Sequence, residues 1–414
     1  MKKTSRGFVV VTISLLIVGN LIGVGILALP INTGLAGLLP SLVGMLVLGG
    51  AMFFSALILG REAVEAKKET FNYPSLYQRY LGNAGKWIAV VTNMLILYGL
   101  LVAYLTGGTT ILANLFAVPV TYNPLITLGL FVVVTGITIM NVRLILKYNT
   151  LIMICLFVFF LCMVVIGETR TDIHHYYFSD WHFLPVAAPI IVTAFHFHNI
   201  IPNICRSLDW DFSLVWKSML IGVIIGLVMN AIWVQVGIGV LPMDNSEDSL
   251  LQAFTKSLPA TVPMFHIMKS KFFMISALAF SLLAIISSYL ANGIGLRGFI
   301  ADMLENHVGI KNEALELSVT FLPPLAVTLI WPEVFLAAIN VVGGVGIVIL
   351  FGILPSLIFI MKHAGVAKKA LGILMLCLFF FCLIFEIGQE AGLLKIKPEI
   401  EHWNPQVHHM HLRE

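Results

Sequence analysis

Eleven long apolar runs dominate this chain, and each needs a solvent other than water. They lie near residues 8–31, 37–60, 86–115, 124–142, 148–167, 184–203, 213–241, 272–296, 317–331, 333–361 and 368–390, separated by charged or Pro/Gly/Asn punctuation. A bilayer crossing takes about 20 apolar residues. Inside hydrocarbon the backbone must satisfy its own polar groups, which selects helices. Composition agrees, with 59% of 414 residues hydrophobic and only 11% charged, against about 25% charged in soluble domains. The expected fold class is an all-α integral membrane protein of about eleven transmembrane helices, with no room for a sizeable soluble domain. The least secure boundary is at Trp331-Pro332-Glu333, where apolar character hardly lapses.

A net charge of +3, without a basic run or stripe, gives no basis for a nucleic-acid partner; the partner is the lipid bilayer. Distributing the 24 Lys and Arg over alternate sides of eleven spans puts 17 with the N-terminus. These include Lys2, Lys3, Arg6, Lys67, Lys68, Arg143, Lys147 and Lys369; the opposite seven include Arg170, Lys395, Lys397 and Arg413. By the positive-inside rule the N-terminus is cytoplasmic and the His-rich tail external. The first run continues from Phe8 to Leu39 without a small-x-small cleavage site, so the first span is expected to be retained. The five cysteines lie in or beside apolar runs, with no CxxC or metal spacing, and are read as small buried hydrophobes. Segments 168–183 and 242–271 are long enough to lie across the outer mouth. Segment 61–86, mixing Glu62, Glu65 and Glu69 with Arg61, Lys67 and Lys68, reads as a solvated or interfacial helix.

Two spans are interrupted. The first carries Gly19-Asn20-Leu21-Ile22-Gly23-Val24-Gly25 and ends at Pro30. Each glycine costs about 1 kcal/mol in a helix interior, so three in seven residues predict local unwinding, unless Gly19 and Gly23 serve as a GxxxG packing pair. The sixth carries Phe195-His196-Phe197-His198-Asn199-Ile200-Ile201-Pro202. Polar side chains at membrane depth mark a site or pathway, and Pro202 has no N–H for the carbonyl at 198. His196 and His198 fall on opposite sides of a helix but on one side of an extended segment; sequence does not choose. Either is a proton sensor by chemistry or a satisfied core histidine. A metal role for them or for His174, His175, His182, His408, His409 and His411 lacks any HExxH or Cys/His ligand spacing.

The breaks fall five helices apart. Five is odd, so a second group of five is inverted relative to the first, an arrangement typical of secondary transporters. Residues 1–170 and 171–365 are the expected repeats, with 366–414 an eleventh helix and external tail. Half-helix starts suit an anion, and unwound carbonyls suit an ammonium or coupling cation, so a zwitterionic amino acid fits. No Asp, Glu, Lys or Arg falls deep inside the first eight spans, the nearest being Lys147, Arg206 and Arg297; a buried-carboxylate proton relay is not expected. Ser281, Ser287 and Ser288 either help bind Na⁺ or bond back to their own helix. No nucleophile-and-base cluster or histidine box suggests an enzyme.

The stretches from Gly19 to Pro30 and from Phe195 to Pro202 resemble the hydroxy and aromatic amino acid permease family, within the amino acid, polyamine and organocation transporters. The resemblance implies a leucine-transporter-type fold of five plus five inverted helices and one more. It also implies uptake of tryptophan, tyrosine or phenylalanine, driven by H⁺ or Na⁺ without a further cofactor, across a bacterial inner membrane. Carried over by motif, substrate contacts come from Gly19, Asn20, Leu21, Gly23, Val24, Gly25, Phe195, His196, Phe197, His198 and Asn199. Amides near Val24 and Gly25 would take the carboxylate, and carbonyls near Leu21 and Phe195 the ammonium. Gly19 and Ile22 carbonyls with Ser287 and Ser288 resemble a sodium site. His196 stands where a glycine is usual, and 148–167 lacks the lysine of many proton-coupled relatives, so substrate identity and cation stay open. A neutral or branched-chain amino acid carrier, and a sensor that binds without transporting, are the alternatives. Oligomeric state is not encoded in these motifs.

Overall fold

A computed structural model of the chain describes residues 6–67, 72–140, 142–305, 309–394, 396 and 398. Lys2, Lys3, Lys68, Lys395, Lys397, Arg413 and the tail histidines His408, His409 and His411 lie outside the described residues.

Ten described helices are long and apolar enough to cross a bilayer, and a bent pair adds an eleventh. The chain is an all-α integral membrane protein. The bent pair is α1 (Arg6–Leu21) and α2 (Val24–Gly34); α3 (Leu38–Ala66), α4 (Tyr73–Leu115), α5 (Asn123–Met140) and α6 (Val142–Glu168) follow. Span six divides into α7 (Leu184–Ala194) and α8 (Ile201–Ser207), then α9 (Phe212–Val240). Two short helices, α10 (Leu250–Thr255) and α11 (Thr261–Met268), precede α12 (Lys271–Met303) and α13 (Glu313–Ile330). Span ten is α14 (Phe335–Val341), a π-helical stretch (Val342–Ile353) and α15 (Leu354–Lys362); α16 (Val366–Glu390) is the eleventh. The 313–330 and 335–362 helices separate at Trp331-Pro332-Glu333.

The centre of the bundle is α2, α7 and the π stretch. Residues 25–34 of α2 are buried throughout, as is nearly all of α7, and each of these elements packs on the other spans rather than on lipid. Outward-facing Val132, Val158, Leu161 and Leu374 are exposed, as hydrocarbon solvent permits. Cys205 and Cys382 are buried, Cys155 and Cys162 half-buried, and Cys377 exposed. Only the first two meet the expectation of five buried thiols, because α6 and α16 are each covered on one side only.

Both long loops fold back on the broken first span. The Asp180 N–H donates to the Ala36 carbonyl (2.8 Å) and the Ala260 N–H to the Leu27 carbonyl (2.8 Å). Gly37, at φ +91, makes the corner between α2 and α3, where a Cβ would fall 2.2 Å from the Phe178 carbonyl oxygen. Segment 61–86 is not a single surface helix. Its start completes α3, while Tyr73–Leu81 is helical and joins α4 across a kink at Gly82 (φ 66). Tyr73 and Tyr77 are buried. At the end of α3, Lys362 Nζ lies 2.5 Å from both Glu62 and Glu65, and the Tyr80 hydroxyl donates to Glu62 (2.8 Å), tying α3, α4 and α15 together.

The π winding was not expected. Gly343, Gly344, Gly346 and Gly352 supply it, since glycines let neighbours crowd a wider backbone. At Gly343 a Cβ would lie 2.0 Å from the Pro189 carbonyl oxygen and 2.3 Å from Thr193 Oγ1. Gly343→Ala should therefore destabilise by the ~1–3 kcal/mol typical of overpacking, read as a lowered Tm of the detergent-purified protein. Gly50→Ala, inside α3 with nothing within 4 Å, should hold or raise Tm, since alanine favours a helix interior; an equal fall in Tm for both variants would contradict this packing.

Candidate functional site

In span one, α1 ends at Leu21, the Ile22 N–H makes the last helical bond, to the Val18 carbonyl (2.9 Å), and Gly23 is extended (φ −115, ψ −155). The two halves meet at 59°. A helix end strands up to four carbonyls and a helix start up to four amides; here these belong to Gly19–Ile22 and Val24–Leu27. Gly23 has no side chain with which to cap α2. A Cβ on Gly19 would lie 2.6 Å from Met153 Sδ of α6, and one on Gly23 3.4 Å from Ser288 Oγ of α12. The two glycines thus face different helices because the backbone turns between them. Leu21 is buried and Asn20 half-buried; Leu21 packs where a Cβ on Gly226 would be.

In span six, α7 closes with the Phe195 N–H on Ile191 (3.1 Å) and the His196 N–H on Thr193 (3.1 Å). Phe197 (φ −136, ψ 11) leaves the helix, and His198–Ile200 form one 3-10 turn. Pro202 stands in the first turn of α8. Its missing N–H withholds the α-helical donor from the His198 carbonyl, which accepts instead from the Ile201 N–H of the 3-10 turn and from the Tyr73 hydroxyl.

This turn aligns the two imidazoles. Their rings are parallel (2°), with centroids 5.9 Å apart, and both lean on Phe351 of the π stretch, at 5.1 and 5.0 Å. His198 Nε2 is 3.1 Å from the Met52 carbonyl. A carbonyl only accepts, so Nε2 carries the hydrogen, and Nδ1 of the neutral ring is an acceptor. That Nδ1, His196 Nε2 and Asn199 Oδ1 are buried without hydrogen-bond partners among the described residues. Phe195 packs on α3, its Cε1 3.1 Å from a would-be Cβ of Gly49, and Phe197 is buried beside the His198 ring (5.3 Å).

The two breaks abut. A Cβ on Gly25 would lie 3.2 Å from the Ala194 Cα and 3.3 Å from its nitrogen. The start of α2, carrying partial positive charge, therefore touches the end of α7, carrying partial negative charge. The two helix ends bear opposite partial charges side by side.

Of the expected cation residues, Ser288 faces the break at Gly23, near Tyr104. Asn292 Nδ2 completes this group, donating to the Tyr104 hydroxyl (3.0 Å) and the Ser288 carbonyl (2.9 Å). Ser287 instead bonds back to the Ala284 carbonyl (3.1 Å). Ser281 lies apart, near Thr261. Among the described residues no group of three His, Cys, Asp or Glu side chains gathers as for a metal; His175 Nδ1 is 3.0 Å from the Ile238 carbonyl.

Sequence reasoning missed Tyr73, Tyr77, Met52 and Phe351. The Tyr77 hydroxyl donates to the Leu350 carbonyl (2.5 Å), so both tyrosines brace unwound or π backbone. Their signal was present: two tyrosines one helical turn apart, with Leu76 and Tyr80 beside them, in a segment otherwise marked by its charged residues.

Comparison with known proteins extends this geometry. The chain is similar to tyrosine-specific transport system 1 of Haemophilus influenzae, 28% identical over 339 residues, covering 80% of this chain and 82% of that protein. It is similar to the tryptophan-specific transport protein of the same organism, 25% identical over 364 residues (83% and 85%). It is also similar to the low affinity tryptophan permease of Escherichia coli, 25% identical over 363 residues (80% and 82%). The tryptophan/tyrosine permease family matches residues 7–388, from α1 through both breaks into α16. The chain belongs to the tryptophan/tyrosine permease family.

Proposed function

We propose that this permease is a cation-coupled symporter that takes up aromatic amino acids, tryptophan, tyrosine or phenylalanine, by alternating access across the bacterial inner membrane. The observation that carries this reading is the abutment of Gly25 and Ala194 at two helix breaks, the second of which carries unpartnered ring nitrogens. The family and the names of its tyrosine and tryptophan carriers support the substrate class.

In this reading the Val24 and Gly25 amides receive the substrate carboxylate, and the Leu21 and Phe195 carbonyls its ammonium. His198 Nδ1 and His196 Nε2 accept from a phenolic O–H or an indole N–H. Asn20, Gly23, Phe197 and Asn199 line the same place. Residues 1–170 and 171–365 act as inverted repeats that rock around it, with the N-terminus cytoplasmic and the tail external. The coupling ion is H⁺ or Na⁺; for Na⁺, the carbonyls of Gly19 and Ile22 with Ser287 and Ser288 are the candidates, and Ser287 would have to release Ala284.

The direct test is accumulation of labelled tyrosine and tryptophan in liposomes under sodium and pH gradients imposed separately. Accumulation under one gradient, suppressed by unlabelled aromatic amino acids, is expected. No accumulation under either, or suppression by leucine or valine alone, would overturn the reading. Gly25→Val wedges a branched side chain between the broken ends, and overpacking of ~1–3 kcal/mol should cut uptake about tenfold or more at equal membrane content. Wild-type rates in that variant would show that the seam is not used. His198→Ala removes a buried acceptor worth ~1–3 kcal/mol and should raise KM for tyrosine and tryptophan about tenfold. Phenylalanine, having no ring donor, should be affected less; an equal rise for all three would assign His198 to packing.

A further inference from the structure

The expectation of no buried carboxylate relay weighed only the first eight spans, and α16 holds an exception. Glu386 is 1% exposed, and among the described residues neither of its carboxyl oxygens has a hydrogen-bond partner. Its side chain lies across Gly344 of the π stretch, where a Cβ would be 2.6 Å from Glu386 Cγ and 3.1 Å from Cδ. Only a glycine leaves that space.

The elements packed most closely on α16 are the π stretch, α15 and α7. The π stretch and α7 contain no ionisable side chain. The one in α15 is Lys362, engaged with Glu62 and Glu65 at the far end of its helix. On α16 itself are Lys368 and Lys369 at its start, Cys377 in its middle, the buried thiol Cys382 one turn before Glu386, and the exposed Glu390 one turn beyond. Among the described residues nothing cationic faces the Glu386 carboxyl. An ionised carboxylate stripped of water and partners is far costlier than a neutral one, and carboxyls inside the membrane mark proton pathways. The packing seen therefore holds the proton-loaded form.

That packing is continuous with the seam. Gly344 adjoins Gly343, which lies against Pro189 and Thr193 of α7, and α7 ends at Ala194 against Gly25. We propose that Glu386 is the proton-binding site of the transport cycle. Resting on the symport reading above, the proposal makes the proton the coupling ion. A proton from water at the Glu390 end adds to the carboxylate, giving the neutral acid that packs on Gly344. When α16 and the π stretch part, water reaches the group, and the same proton leaves to the opposite side as hydronium, regenerating the carboxylate. By linkage, acid pH favours the packed arrangement and alkaline pH disfavours it.

The test compares full-length wild-type, E386Q and E386D proteins in liposomes, measuring labelled tyrosine uptake under an inward proton gradient and exchange at equal pH on both sides. With one proton per substrate, a gradient of one pH unit supports about tenfold accumulation; wild type and E386D should approach it. E386Q should exchange substrate at a rate near wild type yet accumulate none. Accumulation by E386Q equal to wild type overturns the site. If E386Q loses exchange as well, infrared spectra decide: a neutral-carboxyl stretch in the wild type that shifts in E386D supports the proposal, and its absence overturns it. A wild type that concentrates substrate only with sodium overturns the coupling role of Glu386, whereas one that concentrates nothing under any gradient fails the symport reading itself.

Discussion

Backbone amides and carbonyls inside a bilayer have no water to turn to, and the structure is organised by how it handles those that two interrupted helices release. Where the release is structural, a neighbour supplies the missing bond. The Tyr73 hydroxyl joins the Ile201 N–H on the His198 carbonyl, Tyr77 takes Leu350, and Ser55 takes Phe351. Thr193 bonds its own helix at Pro189 and reaches toward Ile339. Where no such partner is present, at the start of α2 and at the imidazoles of span six, polar groups are left for something else to satisfy. On the proposed function that something is the substrate.

Three helices make this division possible. α3 supports the turn of span six, with Met52 fixing the His198 ring and Gly49 admitting Phe195. The π stretch of span ten puts Phe351 behind both imidazoles and offers its displaced carbonyls to α3 and α4. α9 admits the first span through glycines, as at Gly226 beneath Leu21 and Gly237 beneath Pro30. Small residues at these crossings are what membrane helices use in place of a hydrophobic driving force.

The spans and both interruptions were legible because glycine and proline punctuate apolar sequence in ways that follow from their covalent structure. What stayed hidden was hidden for physical reasons. Hydropathy registers composition and not winding, so the π stretch read as an ordinary apolar run. Tyr73 and Tyr77 were masked by the charged residues around them, although their four-residue spacing marks one helical face. Ser287 and Ser288 could be named but not distinguished. Successive helical residues point about 100° apart, and only the packing shows that Ser288 faces Gly23. Glu386 escaped because its environment is made by a glycine of another helix, which sequence spacing cannot reveal.

The account stands on the meeting of two helix ends as the place where an amino acid is held. A cryo-electron microscopy structure in lipid nanodiscs with bound tyrosine tests it most directly. The account predicts density between Gly25 and Phe195, with the carboxylate on the first amides of α2 and the phenol toward His196 and His198. Tyrosine held elsewhere, with the Gly25–Ala194 seam still closed, would contradict it.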